Sequence, residues 1–171
     1  EQRLNETAKA RVIGVTIETR PDQLTPKSLI DLRRWGVTRV QLGIQHTDDE
    51  ILKIINRRCP TKTTIRGIKL LKDNCFKVDI HLMPDLPGSD FEKDWNMFKY
   101  VLESEDIQAD QWKIYPCMTV PWTKIKKWYE DNKYKPYAET MVDMIIDEKI
   151  QKVNPLFELI MRVKNKVHHW I

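Results

Sequence analysis

The sequence predicts an α/β chain in which parallel strands alternate with helices and curve into part of a barrel with a polar interior. Two observations carry this. Four short segments alternate apolar with polar residues, and stretches of helical period separate them, so the order is strand, helix, strand, helix, and short crossovers of that kind imply parallel strands. Each strand also keeps polar side chains on one face, whereas a doubly wound sheet is covered on both faces and its strands read as nearly unbroken apolar runs.

Each element has its own reason. The chain opens in what reads as the tail of a helix. In residues 11–19 Val15 and Ile17 face one way and Thr16 and Glu18 the other, because successive strand side chains alternate. Thr25 supplies a cap and Pro26 a first-turn proline; Leu29, Ile30 and Leu32 give the buried stripe, and Gly36 stands where a left-handed C-terminal cap is wanted. Residues 40–45 set Val40, Leu42 and Ile44 against Gln41, Gly43 and Gln45. Thr47 with Glu50, and Ser89 with Glu92, have the spacing of capping boxes just after strands. Ile65, Ile68, Leu70 and Leu71 mark one helix, and Trp95, Phe98, Tyr100 and Leu102 the next. Between these two, residues 76–83 put Val78, Ile80 and Leu82 opposite Asp79, His81 and Met83, and Pro84 and Pro87 then stop the ladder and stiffen the loop. In residues 111–115 Trp112 and Ile114 oppose Gln111, Lys113 and Tyr115. Helices are expected near 121–132 and 138–152, and 156–170 is ambiguous between helix and strand.

Composition bounds the function. At 171 residues, 41% hydrophobic and 32% charged, the chain suits one soluble domain. No apolar run approaches membrane length and the charged start is no signal peptide, so a cytoplasmic or nuclear setting with no membrane partner is expected. Cys59, Cys75 and Cys117 are odd in number and outside C-x-x-C spacing, which makes neither a disulfide framework nor a metal site legible; buried or idle thiols are the expectation. No G-x-G-x-x-G or Walker pattern occurs, so a phosphate-cradling loop is not supported. Net charge is +4, from 29 basic and 25 acidic residues, a mild excess. Arg57 and Arg58, then Lys124, Lys126 and Lys127 beside Trp122 and Trp128, then Arg162, Lys164 and Lys166 leading to His168, His169 and Trp170, interleave cations with aromatics. Such runs neutralise phosphates and stack unpaired bases, or are simply solvated faces.

Four ordered motifs and a fifth behind them meet a family: residues 18–22 (Glu18 to Asp22), 42–45 (Leu42 to Gln45), 81–87 (His81 to Pro87), 113–116 (Lys113 to Pro116) and 134–137 (Tyr134 to Tyr137). Over about residues 11–140 the chain resembles the radical S-adenosylmethionine domain of the Elongator catalytic subunit, a tRNA uridine-34 acetyltransferase family. The resemblance implies the second half of a partial TIM-type (β/α) barrel, with residues 141–171 as a C-terminal extension of a single domain. It further implies a 4Fe-4S cluster, S-adenosylmethionine and acetyl-CoA in the complete protein, tRNA as substrate, and the rest of the barrel or other Elongator-type subunits as partners. The chemistry implied is reductive formation of a deoxyadenosyl radical, hydrogen abstraction from an acetyl group and addition of carbon to the wobble uridine. The family's cluster cysteines and acetyltransferase domain have no counterpart here, so the expectation is a fragment or a reduced relative, inactive alone. The rival expectation is a non-catalytic tRNA-binding or scaffold remnant. Asn56 and Arg57 follow the family pattern, but Arg58 and Cys59 replace glycine and histidine, and Val120 to Thr123 replace a segment that normally carries arginine and glycine.

Glu18, Gln45 and His81 are the expected S-adenosylmethionine contacts. Glu18 accepts from ribose hydroxyls or an ammonium, the alternative being a salt bridge to Arg20 or Arg39; an inward carboxylate without a ligand would be an expensive buried charge. Gln45 bridges ribose or the methionine carboxylate, or plugs the barrel floor. His81 donates to ribose or relays a proton, or is satisfied by a neighbour. Lys113 and Tyr115 are expected to hold an anionic acyl group or a tRNA phosphate, unless Lys113 pairs with Glu18 or Asp79. Arg57, Lys124, Lys126 and Lys127 are expected at the rim, against tRNA. No catalytic residue and no metal ligand is assigned.

Overall fold

The computed structural model describes residues 2–136. The expected helix at 138–152, the ambiguous segment 156–170, the extension 141–171, the basic run from Arg162 to Trp170 and Tyr137 lie outside the described residues.

Four strands, β1 (Thr16–Thr19), β2 (Arg39–Gln45), β3 (Lys77–Leu82) and β4 (Gln111–Ile114), form one sheet in chain order, β1-β2-β3-β4. All three pairings are parallel. Helices α1 (Gln2–Thr7), α2 (Pro26–Arg34), α3 (Asp49–Ile54), α4 (Thr61–Asp73), α5 (Phe91–Glu103) and α6 (Lys124–Glu130) precede, separate and follow them. Strand order that simply follows chain order is the arrangement of a barrel wall, since a doubly wound sheet reverses direction at a switch point.

The main core lies between one sheet face and the helices: Val40, Leu42, Val78, Ile80 and Leu82 are fully buried there with Leu71, Val101 and Ile107. The apolar strand faces are therefore the expected ones. β1 is shorter than the expected 11–19, because its ladder begins at Thr16 opposite Arg39, and Val12 and Ile13 are exposed.

The helix ends follow local chemistry. Thr25 and Ser28 form a reciprocal capping box at α2, and Gly36, at φ +79, closes that helix in the left-handed region as expected. The other two caps sit one residue later than the spacing suggested. Asp48, not Thr47, caps α3, accepting from the Glu50 and Ile51 amides, and Asp90, not Ser89, caps α5, accepting from the Lys93 amide. Two helix stripes also differ. Ile30 is 54% exposed while Leu29 and Leu32 are buried. On α5 the buried positions are Asp94, Met97, Phe98 and Val101, leaving Trp95, Tyr100 and Leu102 half-buried at the flanks. The reason is a buried carboxylate at the head of the stripe. The expected helix at 121–132 is shorter, because Pro121 and Trp122 form a turn and Thr123 caps Lys124–Glu130.

Candidate functional site

The polar sheet face is organised by register. Glu18, Gln41, Asp79 and Gln111 form one row, and Gly43, His81 and Lys113 the next. Asp79 is 1% exposed, and its carboxylate accepts from Arg39 Nη1 and from Gln41 Nε2 at 3.3 Å. Gln41 Oε1 in turn accepts from Lys113 Nζ at 2.8 Å. The first row is thus a satisfied network, in which Lys113 takes the Gln41 amide rather than Glu18 or Asp79.

The second row contains a gap. Gly43 has no side chain, so Glu18 on β1 and His81 on β3 meet across β2, with Glu18 Oε1 3.2 Å from His81 Nδ1. Neither arginine weighed as a partner for Glu18 is available, because Arg20 holds Asp22 at 2.9 and 3.0 Å and Arg39 holds Asp79. The expected inward, buried carboxylate is not seen: the Glu18 side chain is 57% exposed. A Cβ at Gly43 would lie 2.9 Å from Arg57 Nη2, 3.2 Å from Gln45 Nε2 and 3.9 Å from Glu18 Oε1.

Arg57 therefore belongs to this cluster. It leaves the α3–α4 connection, its Nη2 donates to the Gly43 carbonyl, and Arg20 Nη2 donates to the Arg57 carbonyl at 3.2 Å. Burial, then the charge of Arg20, pulls the Arg57 guanidinium below its ordinary pKa. The side chain points at the strand ends and not outward to a rim. Its neighbour Arg58 is exposed and bonds Asn56 Oδ1 at 2.9 Å.

Among the described residues, Gln45 Oε1, Arg57 Nε and His81 Nε2 are buried without a hydrogen-bond partner. His81 is 8% exposed; burial lowers its pKa, Glu18 opposes that shift and Lys113 adds to it. A neutral ring that donates from Nδ1 to the Glu18 carboxylate presents Nε2 as an acceptor. The set is one donor and two acceptors at the C-terminal ends of parallel strands, where barrel enzymes build their sites. Each such orphan costs about 1–3 kcal/mol unless something fills it. A ligand carrying hydroxyls and a carboxylate would satisfy all three, so these residues fit S-adenosylmethionine. Tyr115, 54% exposed, sets its ring edge-on to His81 with centroids 6.0 Å apart.

A second network escaped the sequence reading. His46, 2% exposed, accepts the Asp48 amide at Nδ1 (2.9 Å), so its proton sits on Nε2 and is donated to Asp94 Oδ1 at 2.9 Å. Asp94, fully buried, also accepts from Ser89 Oγ at 2.6 Å and from the Asp85 amide at 2.6 Å. Tyr134 OH donates to the Asp85 carbonyl at 2.7 Å, and burial pushes both the Tyr134 phenol and the Cys117 thiol beside it up in pKa. The loop after β3 is held from both sides. His46 and Asp94 lie 48 positions apart, and no local pattern joins them.

The lysines of α6 sit on a separate element. Lys126 reaches Glu130 at 3.5 Å and lies over the Tyr129 ring at 5.4 Å, and Trp122 beside the helix is fully exposed. Cys59 and Cys117 are buried and Cys75 is exposed; among the described residues no group of three or more His, Cys, Asp or Glu could hold a metal ion. Among the same residues no helix is long and apolar enough to cross a membrane.

The family model for the radical SAM superfamily matches residues 1–99. The tRNA uridine(34) acetyltransferase of Methanocaldococcus jannaschii is 43% identical over 138 residues, 81% of this chain and 26% of the relative. Elongator complex protein 3 of Saccharomyces cerevisiae is 31% identical over 164 residues, covering 95% of this chain and 29% of the relative. The chain thus spans between a quarter and a third of these relatives' length. The archaeal Methanocaldococcus infernus Elp3, solved with an N-terminal deletion, superposes with a TM-score of 0.77 at 42% identity over 80% of this chain and 32% of that one. Escherichia coli coproporphyrinogen III oxidase, at TM-score 0.58 and 21% identity over 71% of this chain and 27% of that one, shares the fold alone. With more than half its length matched by the family model and strands in barrel order, the chain belongs to the radical SAM superfamily, whose members in general use S-adenosylmethionine and a 4Fe-4S cluster.

Proposed function

We propose that this chain is part of an Elongator-type enzyme that modifies the wobble uridine of tRNA, and that the cluster around Gly43 holds S-adenosylmethionine. The observation that carries the reading is the set of three buried, unpartnered polar atoms, Gln45 Oε1, Arg57 Nε and His81 Nε2, at the C-terminal strand ends. When bound, S-adenosylmethionine with a 4Fe-4S cluster supplies one-electron cleavage chemistry. This chain's residues bind and orient. Glu18, exposed beyond His81, accepts from ribose hydroxyls. Gln45 Oε1 accepts from an ammonium or hydroxyl, and Arg57, whose Nε is buried without a partner, donates to the methionine carboxylate. His81 Nε2 accepts a ribose hydroxyl proton, with Nδ1 fixed by Glu18.

Lys113, in the row of His81, and the exposed Tyr115 two residues on take an anionic acyl group of acetyl-CoA origin or a tRNA phosphate. Lys124, Lys126 and Lys127, with the bare ring of Trp122, offer cations and a stacking surface to a tRNA loop. A cytoplasmic or nuclear setting follows from the substrate.

Titration calorimetry with S-adenosylmethionine tests the site. Glu18→Gln and Gln45→Ala should each weaken binding by roughly 1–3 kcal/mol, the worth of a charge-assisted or buried hydrogen bond. Parent affinity in both variants would remove S-adenosylmethionine from this face.

A further inference from the structure

We infer that His46 is a positioning residue for the ligand: clamped at both ring nitrogens, it holds Gln45 in a strained turn that aims the Gln45 side chain at Gly43. The inference rests on the ligand reading above and adds a residue that touches no ligand.

Gln45 ends β2 with φ 71, a left-handed value unusual for a residue with a side chain. The His46 amide donates to the Ile44 carbonyl at 3.0 Å, two residues back, so Gln45 is the centre of a γ-turn of the rare positive-φ kind. The β2–β3 register also shifts between Gly43 and Gln45. A strained turn persists only where its surroundings over-determine it, and such turns gather at ligand sites.

The surroundings here are specific. On one side the Gln45 carbonyl accepts the Met83 amide at 2.7 Å. On the other, the next residue is locked: Asp48 donates to His46 Nδ1, and His46 Nε2 donates to Asp94, which is itself fixed by Ser89 and the Asp85 amide. One imidazole thus ties the end of β2 to the loop after β3 and to the first turn of α5. The outcome of that anchoring is the 3.2 Å approach of Gln45 Nε2 to the Cβ position of Gly43, between Arg57 and Glu18. With the ring gone, Gln45 is free to relax to negative φ, and its amide leaves the cluster.

The test compares four variants in the full chain, at a temperature where circular dichroism shows each one folded. His46→Ala should weaken S-adenosylmethionine binding about tenfold or more and speed hydrogen exchange of the Met83 amide. His46→Gln, which keeps a donor for Asp94, should recover most of that affinity. Leu71→Ala, a cavity in the main core at a fully buried position, should lower stability at least as much yet leave affinity within about twofold. Parent-like affinity in His46→Ala, or an equal loss in Leu71→Ala, overturns the positioning role. Gln45→Ala separates the two levels. If it binds like the parent, Gln45 is no ligand contact and the inference fails with that assignment; if it binds weakly while His46→Ala binds normally, the positioning role alone is wrong.

Discussion

Replacing Gly43 by alanine separates stability from ligand binding. Its φ lies outside the left-handed region, so the backbone accepts alanine, and removing a glycine from a strand interior returns about 0.5–1 kcal/mol of conformational entropy. The new Cβ falls 2.9 Å from Arg57 Nη2 and 3.2 Å from Gln45 Nε2, both far ends of flexible side chains that shift without moving the sheet. What is lost is the bond from the guanidinium to the Gly43 carbonyl, about 1.5–3 kcal/mol for a charged donor. The difference is a net destabilisation of about 1–2 kcal/mol, or roughly 2–8 °C in Tm at this chain length. Binding should suffer more, because the same methyl displaces Arg57 and Gln45 together and fills the gap across which Glu18 reaches His81; the expected loss is about 10–100-fold. Scanning calorimetry gives the first quantity and titration with S-adenosylmethionine the second. A Gly43→Ala protein that melts a few degrees lower but binds as the parent does would show that the convergence on Gly43 is packing and not a ligand site.

Three other perturbations have distinct readouts. Asp94→Ala strands the His46, Ser89 and Asp85 donors inside the protein and should lower stability by about 3–5 kcal/mol, read as the urea midpoint at constant m; a loss under about 1 kcal/mol would mean the network is not formed. His81 has a folded pKa held down chiefly by burial, so as pH falls the unfolded chain takes its proton first: the stability this group contributes is intact above about pH 6.5 and is lost as pH drops through the lowered folded value. His81→Gln should flatten that limb of the stability profile, and an unchanged slope would refute it. Replacing Lys124, Lys126 and Lys127 together with alanine should reduce the salt dependence of tRNA affinity by roughly 0.7–0.9 in slope per phosphate contact removed, whereas a parent-like slope would leave those lysines as solvated surface.

The strands, their faces and their order were legible because alternation is a local signal that survives whatever the rest of the chain does. The same signal put Glu18, Gln45 and His81 on one face. It could not show that Glu18 would meet His81, since that contact depends on the missing side chain of Gly43 on the strand between them. Arg57 and Arg58 look alike in sequence, yet one turns in against a strand carbonyl and the other turns out beside Asn56; only the tertiary path of the α3–α4 connection distinguishes them. The stripe of α5 is displaced because Asp94 is buried at its head, and no local pattern announces that, since its three donors come from positions 46, 85 and 89. The caps slipped by one residue because Thr47 and Asp48, like Ser89 and Asp90, are both good capping types side by side.

Strand order has a consequence for how the sheet assembles. Among the described residues each strand pairs only with its neighbours in chain order, Thr16 with Arg39, Arg39 with Lys77 and Asp79 with Gln111. Every closure therefore spans roughly 20 to 40 residues, and the entropy of closing such loops differs by only a few tenths of a kcal/mol among them. None of these three pairings has to wait for a distant segment, so these four strands can assemble one at a time in the direction of synthesis, each docking on an edge already in place.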